Sequence, residues 1–306
     1  MADASLTRRE ILAAIPALGL PAILPAVAFA DEAMPMRRIP GSNESLAIIG
    51  LGSSKPVDQI AERGAEPLAS VLRALVASGG NVVDTWPRNA DNDAAFGTII
   101  EQPDLRDALF VASKIDRTGR EEGIRQFEDT LRHYRRDRID LLQVFSLTDL
   151  DTQWRNLQDF REQGRVRYLG VTVSTSRLYD ALTQFLRREK PDFVQVNYSI
   201  SEREAEQRML PLLQDNGVAV IINRPFMNGA LFEKLAHRQL PAWAAEFDCT
   251  SWAEFSLKYI LPHAAITCVL TETSNPEHMR ENAGAALGLM PDQAQRRAMA
   301  ELIDSL

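Results

Sequence analysis

From residue 45 onward the hydrophobic positions follow two alternating regimes. Short runs, each four to six residues long and apolar on both faces, fall at 46–50, 81–84, 109–113, 141–145, 168–172, 193–197, 218–223 and 266–270. Between and after them lie longer stretches in which apolar residues recur at helical spacing: 66–77, 90–100, 121–134, 152–163, 176–188, 202–216, 251–261 and 276–287. Runs apolar on both faces suit parallel strands covered by helices outside and by side chains inside. Ser176, Ser201 and Ser251 stand where an N-cap hydroxyl is wanted, and Gly164 and Gly217 where a helix ends in a left-handed residue. Eight strand–helix pairs predict an α/β fold, a single (β/α)8 TIM barrel, ahead of a doubly wound open sheet. Residues 291–306 add a C-terminal helix.

The first thirty residues break this pattern. Thr7-Arg8-Arg9-Glu10 precedes an uncharged stretch, 11–30, that closes on Ala28-Phe29-Ala30, a small-x-small cleavage site. Pro16, Pro21 and Pro25 interrupt it, which disfavours a spanning helix. The segment resembles a twin-arginine export signal. The expected organisation is therefore a signal at 1–30, an extension at 31–44 and one barrel domain at 45–306. The resemblance implies handling by the twin-arginine export machinery, periplasmic or otherwise exported localisation, and no stable membrane anchor.

Charge and cysteine content narrow the chemistry. The 306 residues hold 42 acidic against 34 basic side chains, a net charge of −8 that repels polyphosphate and excludes non-specific nucleic-acid binding. Residues 1–30 carry two of each sign, so their removal leaves the balance unchanged. Cys249 and Cys268 are too few for a disulfide scaffold or a thiolate zinc centre and read as buried free thiols. No metal site is expected.

In a barrel the chemistry sits at the C-terminal ends of the strands. Those ends carry Ile49-Gly50-Leu51-Gly52, Val83-Asp84-Thr85 with Phe96-Gly97, Ala112-Ser113-Lys114, Arg138-Ile139-Asp140-Leu141-Leu142-Gln143-Val144, Gly164-Arg165-Val166-Arg167-Tyr168-Leu169-Gly170-Val171, Gln195-Val196-Asn197-Tyr198 and Thr273-Ser274-Asn275-Pro276-Glu277-His278. In that order they resemble the aldo-keto reductase superfamily over about residues 38–305, and Asn223-Arg224-Pro225-Phe226 is similar to an exported bacterial branch of it.

The resemblance implies carbonyl reduction by NADPH or NADH with an Asp, Tyr, Lys and His tetrad. Asp84 and Lys114 match the Asp and the Lys. The Tyr position holds Asn89 and the His position Phe145, so the tetrad is degenerate. An amide cannot surrender a proton at neutral pH, and a phenyl ring neither donates nor accepts. Tyr198 is the best replacement acid by residue type, while His133, His237, His263 and His278 fall away from the mouth.

For the dinucleotide, the resemblance assigns Thr172 and Gln195 to the nicotinamide carboxamide, Arg224 through Phe226 to Leu231 to a loop over the diphosphate, and Ser274 with Asn282 to the adenosine end. Val173 replaces the Asn or His often found beside the nicotinamide, and Leu270-Thr271-Glu272-Thr273 replaces an Ile-Pro followed by Lys, Gly or Ala. Glu272 would repel a 2′-phosphate, which favours NADH over NADPH, with Arg280 near enough to offset it.

Three readings stay open. The leading one is an exported NAD(P)-linked oxidoreductase acting on a small-molecule carbonyl or alcohol, with altered or weakened chemistry. The second is an inactive barrel that binds a small molecule or a protein partner. The third is a non-redox lyase or isomerase built on Lys114 with Asp84.

Overall fold

The computed structural model describes residues 33–306, and the expected signal with Arg8 and Arg9 lies outside them. Two antiparallel strands, β1 (Met36–Arg38) and β2 (Ser45–Ala47), form a ribbon. Eight parallel strands then close a barrel: β3 (Ile49–Gly52), β4 (Val82–Asp84), β5 (Phe110–Ile115), β6 (Ile139–Val144), β7 (Val166–Val173), β8 (Phe193–Asn197), β9 (Ala219–Asn223) and β10 (Ile266–Thr271). Each strand pairs with the next, and β10 returns to β3, with Val269 opposite Ile49.

The eight expected runs all overlap a barrel strand, but the first is placed differently. The run at 46–50 changes partners at Ile48, whose N–H donates to Pro35 while its carbonyl accepts from Val269. Residues up to Ala47 pair with β1, and only those from Ile49 enter the barrel. The expected boundary at 45 therefore cuts through a hairpin.

Strand parity decides what the barrel holds. Val82, Phe110, Ala112, Leu141, Phe193, Ala219, Ile221, Cys268 and Leu270 pack as one buried cluster inside it, joined by Tyr168 and by Ile39 and Leu46 from the hairpin. The hairpin thus closes the N-terminal end with two aliphatic side chains. Two or four residues further along, the same parity delivers Asp84, Lys114, Gln143, Thr172, Gln195, Asn197 and Asn223 toward the other end. Apolar filling at one end and polar side chains at the other follow from a single alternation.

Helices Glu66–Ala77 and Ala90–Ile100 occupy the expected residues. Ser251 caps its helix through the Glu254 N–H, and Gly164 and Gly217 have φ of 73° and 62°. Two expected caps are corrected. Thr175, not Ser176, caps the turn after β7. Before helix Glu204–Asp215 it is the Ser199 hydroxyl that accepts, from the Ser201 and Glu202 N–H groups, so Ser201 is not the cap. The C-terminal helix Gln293–Ser305 begins with a capping box between Asp292 and Gln295. It is tied inward by Arg296, which donates to the Tyr259 carbonyl at 2.8 Å and to Glu206 at 2.8 Å. Both cysteines are buried free thiols; burial pushes Cys249 up to about 12 and Cys268 higher still.

Arg37 fastens the hairpin to the barrel floor. Its guanidinium donates to the carbonyls of Leu261 at 3.0 Å, Ile266 at 3.1 Å and His263 at 3.3 Å, where a helix ends and β10 begins. Charge-assisted bonds to carbonyls with few other partners are among the stronger polar contacts. Arg37→Ala should lower unfolding free energy by about 2 kcal/mol, seen as a lower urea midpoint with unchanged slope; an unaltered midpoint would show that the staple is not needed.

Candidate active site

Asp84 ends β4 and Lys114 stands near the end of β5, on neighbouring strands with inward parity. Their side chains form a buried ion pair, 5% and 4% exposed by residue. The Lys114 ammonium also donates to the Thr85 carbonyl at 3.1 Å. The second carboxylate oxygen, Oδ1, accepts from Gln143 Nε2 at 2.9 Å. Asp84 therefore has an ammonium on one oxygen and an amide on the other. Gln143 was not singled out by sequence, although its parity with Leu141 points it inward. Gly170 makes room for it: a Cβ there would lie 2.9 Å from the Phe193 carbonyl and 3.1 Å from Gln143 Cγ.

Two residues beyond each member of this trio, on the same three chain segments, stand Trp86, Asp116 and Phe145. The indole of Trp86 stacks on Phe145 with centroids 4.1 Å apart and 20° between planes. Its N–H donates to Asp116 Oδ2 at 3.1 Å, and Arg88 lies over the ring at 4.7 Å. A polar layer of Asp84, Lys114 and Gln143 is thus followed by an aromatic one, and the partner of Phe145 is the indole two residues after Asp84.

Asn89 is engaged elsewhere. Its side-chain oxygen accepts from the N–H groups of Asp91 and Asn92, at 3.0 and 3.1 Å, as the N-cap of helix Ala90–Ile100, and the residue is exposed. An Asn followed by an acidic first turn is the usual start of a helix, and that signal was present in the sequence. Tyr198 is buried and accepts from Arg296 at 2.9 Å, beside Tyr259; burial first, then Tyr259 and Glu206, push its pKa up, and Arg296 opposes the rise. It is no proton donor for the mouth.

Around the remaining strand ends, Thr172 accepts from the Ser146 N–H at 3.1 Å, and Gln195 accepts weakly from Asn223 at 3.4 Å. Buried polar atoms are left without a protein partner here: Gln195 Nε2, Asn197 Oδ1, Asn223 Oδ1, Arg224 Nε and, beside the ion pair, Gln143 Oε1. Such atoms are costly unless a ligand or solvent satisfies them. The Arg224 guanidinium reaches the Ser174 carbonyl at 3.2 Å. Phe226 and Leu231 are buried, the former against Phe232. Among the described residues, six of the eight non-glycine residues with positive φ lie after β6 (Ser146, Leu147, Asp149) or after β9 (Arg224, Met227, Asn228). Strain gathered in loops at one end of a barrel is characteristic of ligand clamps.

The expected adenosine end is latched to the segment after β3. Ser274 donates to Gln59 at 2.6 Å, Glu272 accepts from the Lys55 N–H at 3.0 Å, and Asn282 is buried on helix Pro276–Gly284. Glu272 is exposed, and Arg280 pairs with Glu277.

The Aldo/keto reductase family model matches residues 48–301. The NADH-specific methylglyoxal reductase of Escherichia coli is 25% identical over 176 residues, 49% of this chain and 52% of that protein. Aldo-keto reductase YhdN of Bacillus subtilis is 23% identical over 180 residues, 54% of this chain and 53% of its own. The chain's matches span about half the length of these curated relatives. Among solved structures, the holo form of an aldo-keto reductase from Bacillus halodurans superposes with a TM-score of 0.71 at 21% identity, covering 88% of this chain and 96% of that one. An aldo-keto reductase from Klebsiella pneumoniae in complex with NADPH gives 0.73 at 20% identity, covering 86% and 93%.

Asp93, in the first turn of the helix capped by Asn89, carries the clearest pH signature. Burial raises its carboxyl to about 6; the N–H groups of Arg88 and Asn89 oppose the rise and Asp58 adds to it. The folded state therefore binds a proton that the unfolded chain has released, so this contribution is full below about pH 4 and disappears as pH rises through about 6. Asp93→Asn should raise unfolding free energy at pH 7.5 by about 2 kcal/mol and leave it nearly unchanged at pH 4. Urea titrations across that range test this, and equal effects at both pH values would contradict it.

Proposed function

The chain belongs to the aldo/keto reductase family, and from that membership we propose that it is an exported NAD(P)-linked oxidoreductase acting on a small carbonyl or alcohol substrate. The observation that carries the reading is the set of unpartnered buried amide and guanidinium atoms on Gln195, Asn223 and Arg224, beside an intact Asp84–Lys114 pair. A nicotinamide carboxamide offers both an acceptor and donors, which is the complement of Gln195 Nε2 and Asn223 Oδ1. Thr172 and Gln195 would hold that ring, the strained loop from Arg224 through Phe226 to Leu231 the diphosphate, and Ser274 with Asn282 the adenosine. When bound, the reduced dinucleotide supplies a hydride.

The chain's own residues supply the rest. Asp84 fixes the Lys114 side chain, and Gln143 keeps Asp84 from turning toward any other partner. Trp86 and Phe145 replace polar groups with aromatic surface, which lowers the local dielectric and strengthens charges beneath it. Neither Asn89 nor Phe145 can act as the tetrad's Tyr and His, so the chemistry is altered relative to the family pattern.

Glu272 sets our expectation for the dinucleotide. An exposed carboxylate near a 2′-phosphate disfavours NADPH, and the Escherichia coli relative, NADH-specific by name, supports the same direction. Fluorescence titration should give NADH at least the affinity of NADPH. Glu272→Lys should improve NADPH binding by about 5-fold and NADH binding by less, since a surface charge change is worth on the order of 1 kcal/mol. A strong NADPH preference in the parent would contradict the assignment, and no binding of either would overturn the oxidoreductase reading.

Export rests on Arg8-Arg9 and the cleavage site after Ala30. Arg8→Lys with Arg9→Lys should leave the precursor in the cytoplasm, as read by fractionation and by the size of the chain. Normal secretion and cleavage of the double variant would overturn the twin-arginine route.

A further inference from the structure

We infer that Lys114 is itself the proton donor to the substrate oxygen, an assignment that rests on the carbonyl-reduction reading above. Hydride addition to a carbonyl carbon needs a proton at the oxygen, so some side chain or water at the mouth must provide one. The side chains present narrow the choice.

Asp84 accepts from both Lys114 and Gln143, so its two oxygens are already engaged as acceptors. Asn89 is an exposed helix cap, and Phe145 has no donor. The indole N–H of Trp86 is committed to Asp116 and does not ionise in this range. Tyr198 is bound to Arg296, away from the inward layer. Asp116 has both oxygens engaged as acceptors, Oδ1 from Gln126 and Oδ2 from the Trp86 indole. Lys114 remains, and its ammonium has three N–H bonds against two partners, Asp84 and the Thr85 carbonyl. The third can meet a carbonyl oxygen. Two residues further along the neighbouring segments, Trp86 and Phe145 stack their rings.

The step balances without any further reagent. As hydride arrives at the carbonyl carbon, the C=O π pair takes a proton from Lys114 Nζ. An O–H bond forms, one N–H bond breaks, and the neutral amine regains its proton from water. The ion pair with Asp84 holds the ammonium in place before each turnover.

The test separates the proton from the charge. Lys114→Ala, assayed with saturating NADH and a reactive aldehyde, should lose at least about 100-fold in kcat. Methylammonium should restore at least about 10-fold of that, more acidic primary ammonium ions should restore more, and tetramethylammonium, which has no N–H, should restore none. Lys114→Arg keeps a cation that does not deprotonate in this range and should remain as impaired as Lys114→Ala. A reading independent of turnover is calorimetric affinity for a short aliphatic carboxamide, an unreactive carbonyl, in the presence of oxidised dinucleotide. It should weaken at least about 10-fold in Lys114→Ala if the ammonium meets the carbonyl oxygen.

Loss of the Asp84 counter-ion is destabilising, so thermal unfolding and NADH affinity are measured for each variant, and methylammonium should raise the midpoint of Lys114→Ala. Equal rescue by tetramethylammonium, near-parental kcat in Lys114→Arg, or unchanged carboxamide affinity would overturn Lys114 as the acid and leave the oxidoreductase reading standing. A parent chain that binds NADH and reduces no aldehyde would overturn that reading and this assignment with it.

Discussion

A carboxylate and an ammonium buried together at the mouth of the barrel constrain nearly everything around them. Removing each from water costs several kcal/mol, and the pair is tolerable only when both are hydrogen-bonded as well as opposed. Asp84 and Lys114 meet that condition with the help of Gln143 and the Thr85 carbonyl. The backbone joins in, since the Asp84 carbonyl accepts from the Ser53 N–H at 2.8 Å and so locks the turn after β3 against β4. Three adjacent strands are thereby held to one register at their functional ends.

The glycine at 170 belongs to the same constraint, because any larger residue would press on the Gln143 stem. The aromatic pair above belongs to it too. Trp86 supplies Phe145 with a flat partner, and Asp116 supplies the indole with a hydrogen-bond acceptor. Position 145 is filled by apolar contact, and Lys114 is the ionisable donor of the inward polar layer of strand-end side chains.

Much of the scaffold was legible from the chain because strand parity and helical spacing are strong local signals. Residues 90–100 announce a helix by their periodicity, and Asp84 and Lys114 could be placed at strand ends without coordinates. The hairpin was not legible: Met36-Arg37-Arg38 has no apolar alternation, and its stability comes from Arg37 reaching carbonyls more than two hundred residues away. Asn89 was read through the family pattern as a site residue, although an Asn before Ala90-Asp91 is equally a helix cap. Gln143 and Trp86 matter through what they touch across strands, and such contacts leave no trace in a single segment. Their only sequence signature is the spacing of two from an inward neighbour.

The return of β10 to β3 has a kinetic consequence. Val269 pairs with Ile49, so the sheet has two raw edges until nearly the whole chain is available, and the last seam joins segments at opposite ends of the domain. Closing so long a loop carries the largest chain-entropy cost of any strand pairing in the fold, and such non-local contacts slow folding. During synthesis β3 must wait, exposed, until β10 emerges. An unclosed barrel with free edges is prone to pairing with another copy. The vulnerable species is thus a nearly complete nascent chain.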